Sequence, residues 1–172
     1  MCGITGFVNN SDRAVDRELL EAMNRAIIHR GPDEDGFFVK ENVGLAMRRL
    51  SIIDLAGGQQ PIHSEDRTKW IVFNGEIYNY RELRKKLIER GHKLYTNSDT
   101  EAVVALYDEF GIGCLERLRG MFAFAIWDET DRSLFIARDR VGKKPLLFSH
   151  QPNGDLIFGS EFSAVLKHPS IS

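Results

Sequence analysis

From Met121 to Trp127 the chain reads MFAFAIW, with no polar side chain and no alternation between apolar and polar positions. Successive side chains of a strand leave on opposite faces, so a strand with one wet face alternates and a strand without alternation is buried on both. This segment therefore demands a layer on each side of its sheet. A sheet covered by helices on one face and by a second, itself helix-covered sheet on the other meets the demand. Layered α and β segments of this α+β kind satisfy the pattern without the pattern fixing the number of layers, and the 172 residues suffice for one domain with a sizeable core.

The remaining segments alternate in blocks rather than in regular βα units. Gly3 to Val8 reads as a first strand, and Val15, Leu19, Met23 and Ala26 or Ile27 then recur at helical spacing up to His29. A turn, RGPDEDG, precedes strands expected at Phe37 to Val39, Val43 to Ile53 and Trp70 to Phe73. A helix from about Tyr80 to Arg90 should end at Gly91, and the S-x-x-E pair Ser98 and Glu101 should open another that Gly111 stops after Phe110. Met121 to Trp127, Leu134 to Ala137, Leu146 to Phe148 and Leu156 to Gly159 read as a β-meander, with Asn153-Gly154 as a type I′ hairpin turn.

The chemical focus lies at the other end of the chain. If Met1 is removed, Cys2 carries a thiol and a free α-amino group on one carbon. A free α-amine has a reference pKa of roughly 7.7 to 8, near the thiol's roughly 8.5, so the amine can take the thiol proton close to neutral pH. A terminal nucleophile with its own amine as base is a known route to covalent catalysis. Other classes find little support. A formal net charge of −2 supplies no basic field for nucleic acid or an anionic membrane. No segment resembles a secretory signal or a membrane span, so a cytoplasmic location is expected. Two cysteines make no disulfide framework, and the five histidines lack metal-ligand spacing, so no metal is expected. Cys114, among Ile112, Leu115 and Leu118, reads as a small buried residue, and Gly57-Gly58, without a following Lys and Ser or Thr, as a turn rather than a phosphate loop.

CGITGF, RGPDEDG, RRLSIIDL, NGEIYNYREL, SDTE, GMFAFAIWD and ARDRVGKKPL occur in that order along nearly the whole chain. Together they resemble the N-terminal glutaminase domain of glutamine-dependent asparagine synthetases, a class II glutamine amidotransferase of the N-terminal nucleophile hydrolase type. The resemblance implies an αββα four-layer sandwich, one amidotransferase domain over residues 1–172 with Met1 removed, and hydrolysis of glutamine to glutamate and ammonia through a Cys2 thioester. It implies that the Asn74 amide and the Gly75 N–H form the oxyanion hole, where residues alone would favour an Asn-Gly hairpin turn. Arg49 would hold the α-carboxylate of glutamine through two parallel hydrogen bonds; Arg48, adjacent on the strand, leaves on the opposite face and reads as a solvated charge. The position before this pair, often His in relatives, is Met47. Asp99, also suited to the positive end of its helix, would bind the α-ammonium with help from Glu76. Backbone groups of Leu50 and Ile52 would complete the pocket, and Arg30 to Gly36 is a candidate lid.

Amidotransferases that make glucosamine phosphate or phosphoribosylamine usually carry an HTRWATHG-like segment where this chain has RRLSIID, which favours the asparagine synthetase branch. The SGG-x-DS pyrophosphatase motif of asparagine synthetases does not occur in these residues. The resemblance therefore implies a C-terminal or separate ATP-dependent synthetase as partner, with ATP and magnesium required only there and no cofactor in this chain; it leaves room for a homodimer. The competing classes are a non-catalytic or regulatory interaction module of the same fold and a hydrolase of a different amide. Intact chemical residues argue against the first, and Arg49 with Asp99 suits an α-amino acid better than the second.

Overall fold

A computed structural model describes residues 1–11, 13–50 and 58–171. Among them, nine strands form two antiparallel sheets. In chain order the elements are β1 (Gly3–Val8), α1 (Arg17–Arg25), β2 (Glu34–Lys40), β3 (Val43–Arg49), β4 (Ile62–His63), β5 (Lys69–Ile77), α2 (Tyr80–Glu89), α3 (Asp99–Phe110), β6 (Gly120–Asp128), β7 (Ser133–Arg138), β8 (Leu147–His150), β9 (Leu156–Gly159) and α4 (Phe162–Val165). The first sheet has the order β2-β3-β1-β9-β8 and the second β4-β5-β6-β7.

Three apolar clusters separate four layers. Phe7, Leu20, Met23, Ala46, Ile157 and Val165 join the first sheet to α1 and α4. Ile4, Leu45, Met47, Val72, Ala123, Ala125, Trp127 and Phe158 fill the space between the sheets. Ile71, Phe73, Leu83, Val103, Leu106, Phe124 and Ile126 join the second sheet to α2 and α3. The run Phe122 to Trp127 divides as its lack of alternation demands: Phe122, Phe124 and Ile126 go to the helices, and Ala123, Ala125 and Trp127 to the opposing sheet. Each fully buried large side chain stabilises the fold by roughly 1.5 to 3 kcal/mol.

Helix ends follow local chemistry. The Asp16 carboxylate accepts from Leu19 N and opens α1, Gly91 at φ 101° follows α2, and Gly111 at φ 55° ends α3. Ser98 caps α3 by accepting from Glu101 N at 3.2 Å. The reciprocal half of the box is used elsewhere, because the Glu101 carboxylate accepts from Thr96 N and Oγ1 at 2.8 and 2.7 Å and pairs with Arg84 at 3.2 Å, fastening the loop before the helix.

The meander reading fails at the sheet switch. β6 and β7 pair in the second sheet, whereas β8 and β9 form a hairpin in the first. That hairpin turns through a five-residue loop in which Gly154 N donates to Gln151 O, and only Gly154 has positive φ, so the turn is not type I′. β5 runs on through Asn74 and Gly75, paired with Ala123 and Phe122, so this Asn-Gly lies inside a strand and is no hairpin turn. The strand expected to reach Ile53 ends at Arg49, with Leu50 already outside it; positions 51–53, like Gly57 of the expected turn, lie outside the described residues. No described helix is long and apolar enough to cross a membrane.

Candidate active site

The two sheets bring distant segments together at one end of the sandwich. Cys2 precedes β1, Arg49 closes β3 and Leu50 follows it; Gly75 and Glu76 lie near the end of β5, and Asp99 opens α3. Cys2, Arg49, Leu50, Gly75, Glu76 and Asp99 line a single cleft. Of the other residues expected there, Ile52, whose backbone was to complete the pocket, lies outside the described residues, and Asn74 is not among those that line the cleft.

Cys2 is half-buried, and its Sγ meets the backbone of Leu50 on both sides, accepting from Leu50 N at 3.4 Å and donating to Leu50 O at 3.6 Å. Its carbonyl oxygen accepts from Arg30 Nε at 3.0 Å. Met1 extends into solvent and is 61% exposed. Arg49 is buried, with Nη1 2.7 Å from Glu34 Oε2. Arg48 leaves on the other face, as alternation requires, but it is not a solvated charge: it lies 3.4 Å from both Asp35 Oδ2 and Asn24 O with its side chain largely covered.

On the facing wall Gly75 admits no side chain, because a Cβ there would sit 2.3 Å from Met121 O and 2.7 Å from Phe122 Cα. Alternation sets Asn74 on the same face of β5 as Val72, the face turned to the intersheet layer against which Cys2 packs. Asn74 is 1% exposed and its Nδ2 has no hydrogen-bond partner among the described residues. Buried polar atoms are nearly always paired, which sets this amide apart among the described residues. The Asp99 carboxylate accepts from Ile77 N at 2.9 Å. Burial pushes Asp99 above the ordinary carboxylate range; backbone N–H groups oppose the rise and the Glu76 charge adds to it.

Three features were not read from the residues. Glu34 lies in the expected turn yet belongs to β2 and pairs with Arg49. Gln60 lines the cleft and brackets Phe73, accepting from its N at 2.6 Å and donating to its O at 3.2 Å. Arg30 reaches the Cys2 backbone. None leaves a periodic signal, since each acts across more than ten residues of sequence. The lid reading is also corrected. Glu34 to Gly36 are laddered to Arg49, Arg48 and Met47, and Gly31 lies so close to β3 that a Cβ would sit 2.4 Å from the Arg48 carbonyl carbon. Cys114 is fully buried as expected, and burial raises its thiol to about 11. Among the described residues no cluster of His, Cys, Asp and Glu is arranged to hold a metal ion.

The sequence matches the family described as glutamine amidotransferase domain over residues 1–172. It is 47% identical over 169 residues to glutamine-hydrolyzing asparagine synthetase 1 of Bacillus subtilis, covering 96% of this chain and 27% of that protein. It is 38% identical over 167 residues to glutamine-hydrolyzing asparagine synthetase B of Escherichia coli, covering 96% and 30%. The chain thus spans less than a third of the length of these curated relatives. Among solved structures, the glutamine phosphoribosylpyrophosphate amidotransferase of B. subtilis in complex with ADP and GMP superposes with a TM-score of 0.76 at 21% identity, over 95% of this chain and 42% of that one. An allosteric regulatory enzyme of purine biosynthesis superposes at 0.79 with 20% identity, over 96% and 43%. These last two likenesses establish the fold alone, a sandwich of two sheets between helices.

Proposed function

The chain belongs to the glutamine amidotransferase domain family, homologous to the N-terminal glutaminase of asparagine synthetases, and on that premise we propose that Cys2, freed of Met1, hydrolyses glutamine to glutamate and ammonia. Support comes from one observation above all: a single cleft joins the thiol of Cys2 to a buried cation, Arg49, and a buried anion, Asp99. That charge pair suits the carboxylate and ammonium of an α-amino acid, leaving the side-chain carboxamide for the sulfur.

In this reading the Cys2 α-amine takes the thiol proton and the thiolate attacks the carboxamide carbon. The developing oxyanion receives hydrogen bonds from Asn74 Nδ2 and Gly75 N–H, in the manner of preorganised donors. The ammonium then returns its proton to the departing nitrogen, the C–N bond breaks and ammonia leaves a thioester. A water molecule deprotonated by the same amine attacks the thioester, the C–S bond breaks, and glutamate and the thiol are restored. Arg49 holds the substrate carboxylate, giving up Glu34 in exchange, while Asp99 and Glu76 hold its ammonium and the Leu50 backbone closes the pocket beside the sulfur.

We further propose that the ammonia serves an ATP-dependent, asparagine synthetase-type amidation in the cytoplasm, carried out by a synthetase part of the kind for which the longer B. subtilis and E. coli relatives are named. ATP and magnesium belong to that part. The test couples mass spectrometry of the mature N-terminus to glutamine-dependent ammonia release. Protein starting at Cys2 should release ammonia, and Cys2→Ala should abolish the release while the far-UV circular dichroism stays unchanged. Full activity in the Cys2→Ala variant, or in protein that still carries Met1, overturns the reading.

A further inference from the structure

Removal of Met1 leaves Cys2 tethered on one side only, so its amine and thiol are oriented by whatever holds the Cys2–Gly3 peptide plane. That plane is rigid, and with it fixed the amine turns only about the Cys2 Cα–C bond and the thiol about that bond and Cα–Cβ, rotations that the contact of Sγ with Leu50 restrains. The plane itself is held by Arg30, whose Nε donates to the Cys2 carbonyl at 3.0 Å. Arg30 is in turn held by one carboxylate among the described residues, Glu161, which accepts from its Nη1 at 2.8 Å. The Arg30 side chain is 8% exposed and its Nη2 has no partner among the described residues, so Glu161 alone balances a buried cation that cannot lose its proton.

Glu161 is itself well anchored. Its neighbour Ser160 accepts from Ile4 N at 3.0 Å and donates through its own N to Ile4 O at 2.8 Å, which ties the start of this segment to β1 two residues past the nucleophile. Its other oxygen lies 3.0 Å from His29 Nε2. Burial favours the protonated acid, but hydrogen bonds from Arg30 and His29 prevail and hold Glu161 below the ordinary glutamate range. It is a standing anion.

We propose that Glu161 is a positioning residue for the N-terminal nucleophile, acting through Arg30 on the carbonyl of Cys2. This inference rests on the reading of Cys2 given above. Glu161 touches no reacting atom, so its effect belongs in the geometry of attack and not in the holding of glutamine, which falls to the opposite end of the substrate.

The test is Glu161→Gln in the full 172-residue chain, processed to Cys2, measured for kcat and KM with glutamine, for the rate of Cys2 alkylation by iodoacetamide and for thermal midpoint. Gln keeps an oxygen for Arg30 and removes the charge. The expected result is a kcat lowered roughly 10-fold, of the order that small misplacements of a reacting group produce, with KM within about 2-fold and alkylation slowed in parallel. If the Gln variant does not fold, Glu161→Asp, which keeps the charge on a shorter stem, carries the same expectation. A lowered thermal midpoint with kcat and alkylation unchanged overturns the inference and makes Glu161 merely structural. Absence of ammonia release in the unaltered, processed chain would instead overturn the reading of Cys2.

Discussion

The two walls of the cleft are built from different sheets and stand in different states. On the first-sheet wall each polar group is already engaged: Cys2 Sγ with the Leu50 backbone and Arg49 with Glu34. On the second-sheet side the amide of buried Asn74, next in sequence to the cleft-lining Gly75, has no partner among the described residues, and burial presses Asp99 toward its neutral form. A buried polar group left unpaired costs roughly 1 to 3 kcal/mol, so the second wall carries unmet interactions that an oxyanion and an ammonium would satisfy. The first wall is stable as it stands and must exchange partners. The contrast implies that substitutions on the second wall damage turnover or its pH dependence with little loss of stability, whereas those on the first damage binding and folding together.

The sharpest test of the contrast is Asn74→Ala. Loss of one oxyanion donor should lower kcat roughly 10²- to 10³-fold, with KM changed far less. The urea midpoint should stay near that of the parent, since the Nδ2 donor being removed makes no hydrogen bond within the described residues. A variant that is chiefly unstable, or defective only in binding, breaks the comparison. Arg49→Lys comes next in size. A lysine replaces a planar fork with a point charge, so one charge-assisted hydrogen bond to the substrate carboxylate, worth roughly 1.5 to 3 kcal/mol, is lost. KM should rise about 10- to 100-fold with kcat nearly unchanged, and the urea midpoint should fall because the pair with Glu34 is weakened. A fall in kcat at constant KM would erase the distinction between the walls.

How much of this was legible in the sequence follows the range of each interaction. The two-faced burial of Phe122 to Trp127 and the ends of α2 and α3 at Gly91, Ser98 and Gly111 rest on neighbours within a few residues, and the structure agrees with them. The choice of Arg49 over Arg48 as the cleft-lining residue came from the family pattern, with alternation adding only that one of the pair can face the cleft; Arg49 does line it. What failed is non-local. Asn74-Gly75 has turn propensity, yet nine residues of pairing with β6 hold it in a strand. The crossing from β7 to β8 separates two hairpins that look alike in sequence, because apolar spacing is the same whichever sheet a strand joins. Glu34 reads as turn chemistry until β3 is laid beside it. The convergence of Cys2, Arg49 and Asp99 was expected from the family resemblance alone, since no periodicity relates residues so far apart.

The smallest expected effect is the one that separates the walls by sign. Burial, first among the influences on Asp99, and the charge of Glu76 raise its pKa above the usual value of about 3.9 for aspartate. The proposed contact with the substrate ammonium needs the charged form, so KM for glutamine should climb a few-fold as pH falls through the raised value. The share of stability that Asp99 supplies moves the other way in that window. The native state takes up this proton more readily than the unfolded chain, so the contribution of Asp99 to stability grows as pH falls from its folded value toward its ordinary one. Asp66, Asp139, Asp155 and Glu161, held below their ordinary values, begin to cost stability only at lower pH, whereas His168, held down by burial, costs stability as pH falls through the histidine range. The excess in thermal midpoint of the parent over Asp99→Asn, measured on one pH series, should therefore grow while KM climbs, and Asp99→Asn should show a higher KM at neutral pH that stays flat on the acid side. If the parent shows no acid rise in KM, or the Asn variant keeps it, Asp99 does not hold the ammonium, and the unmet charge of the second wall belongs to another group.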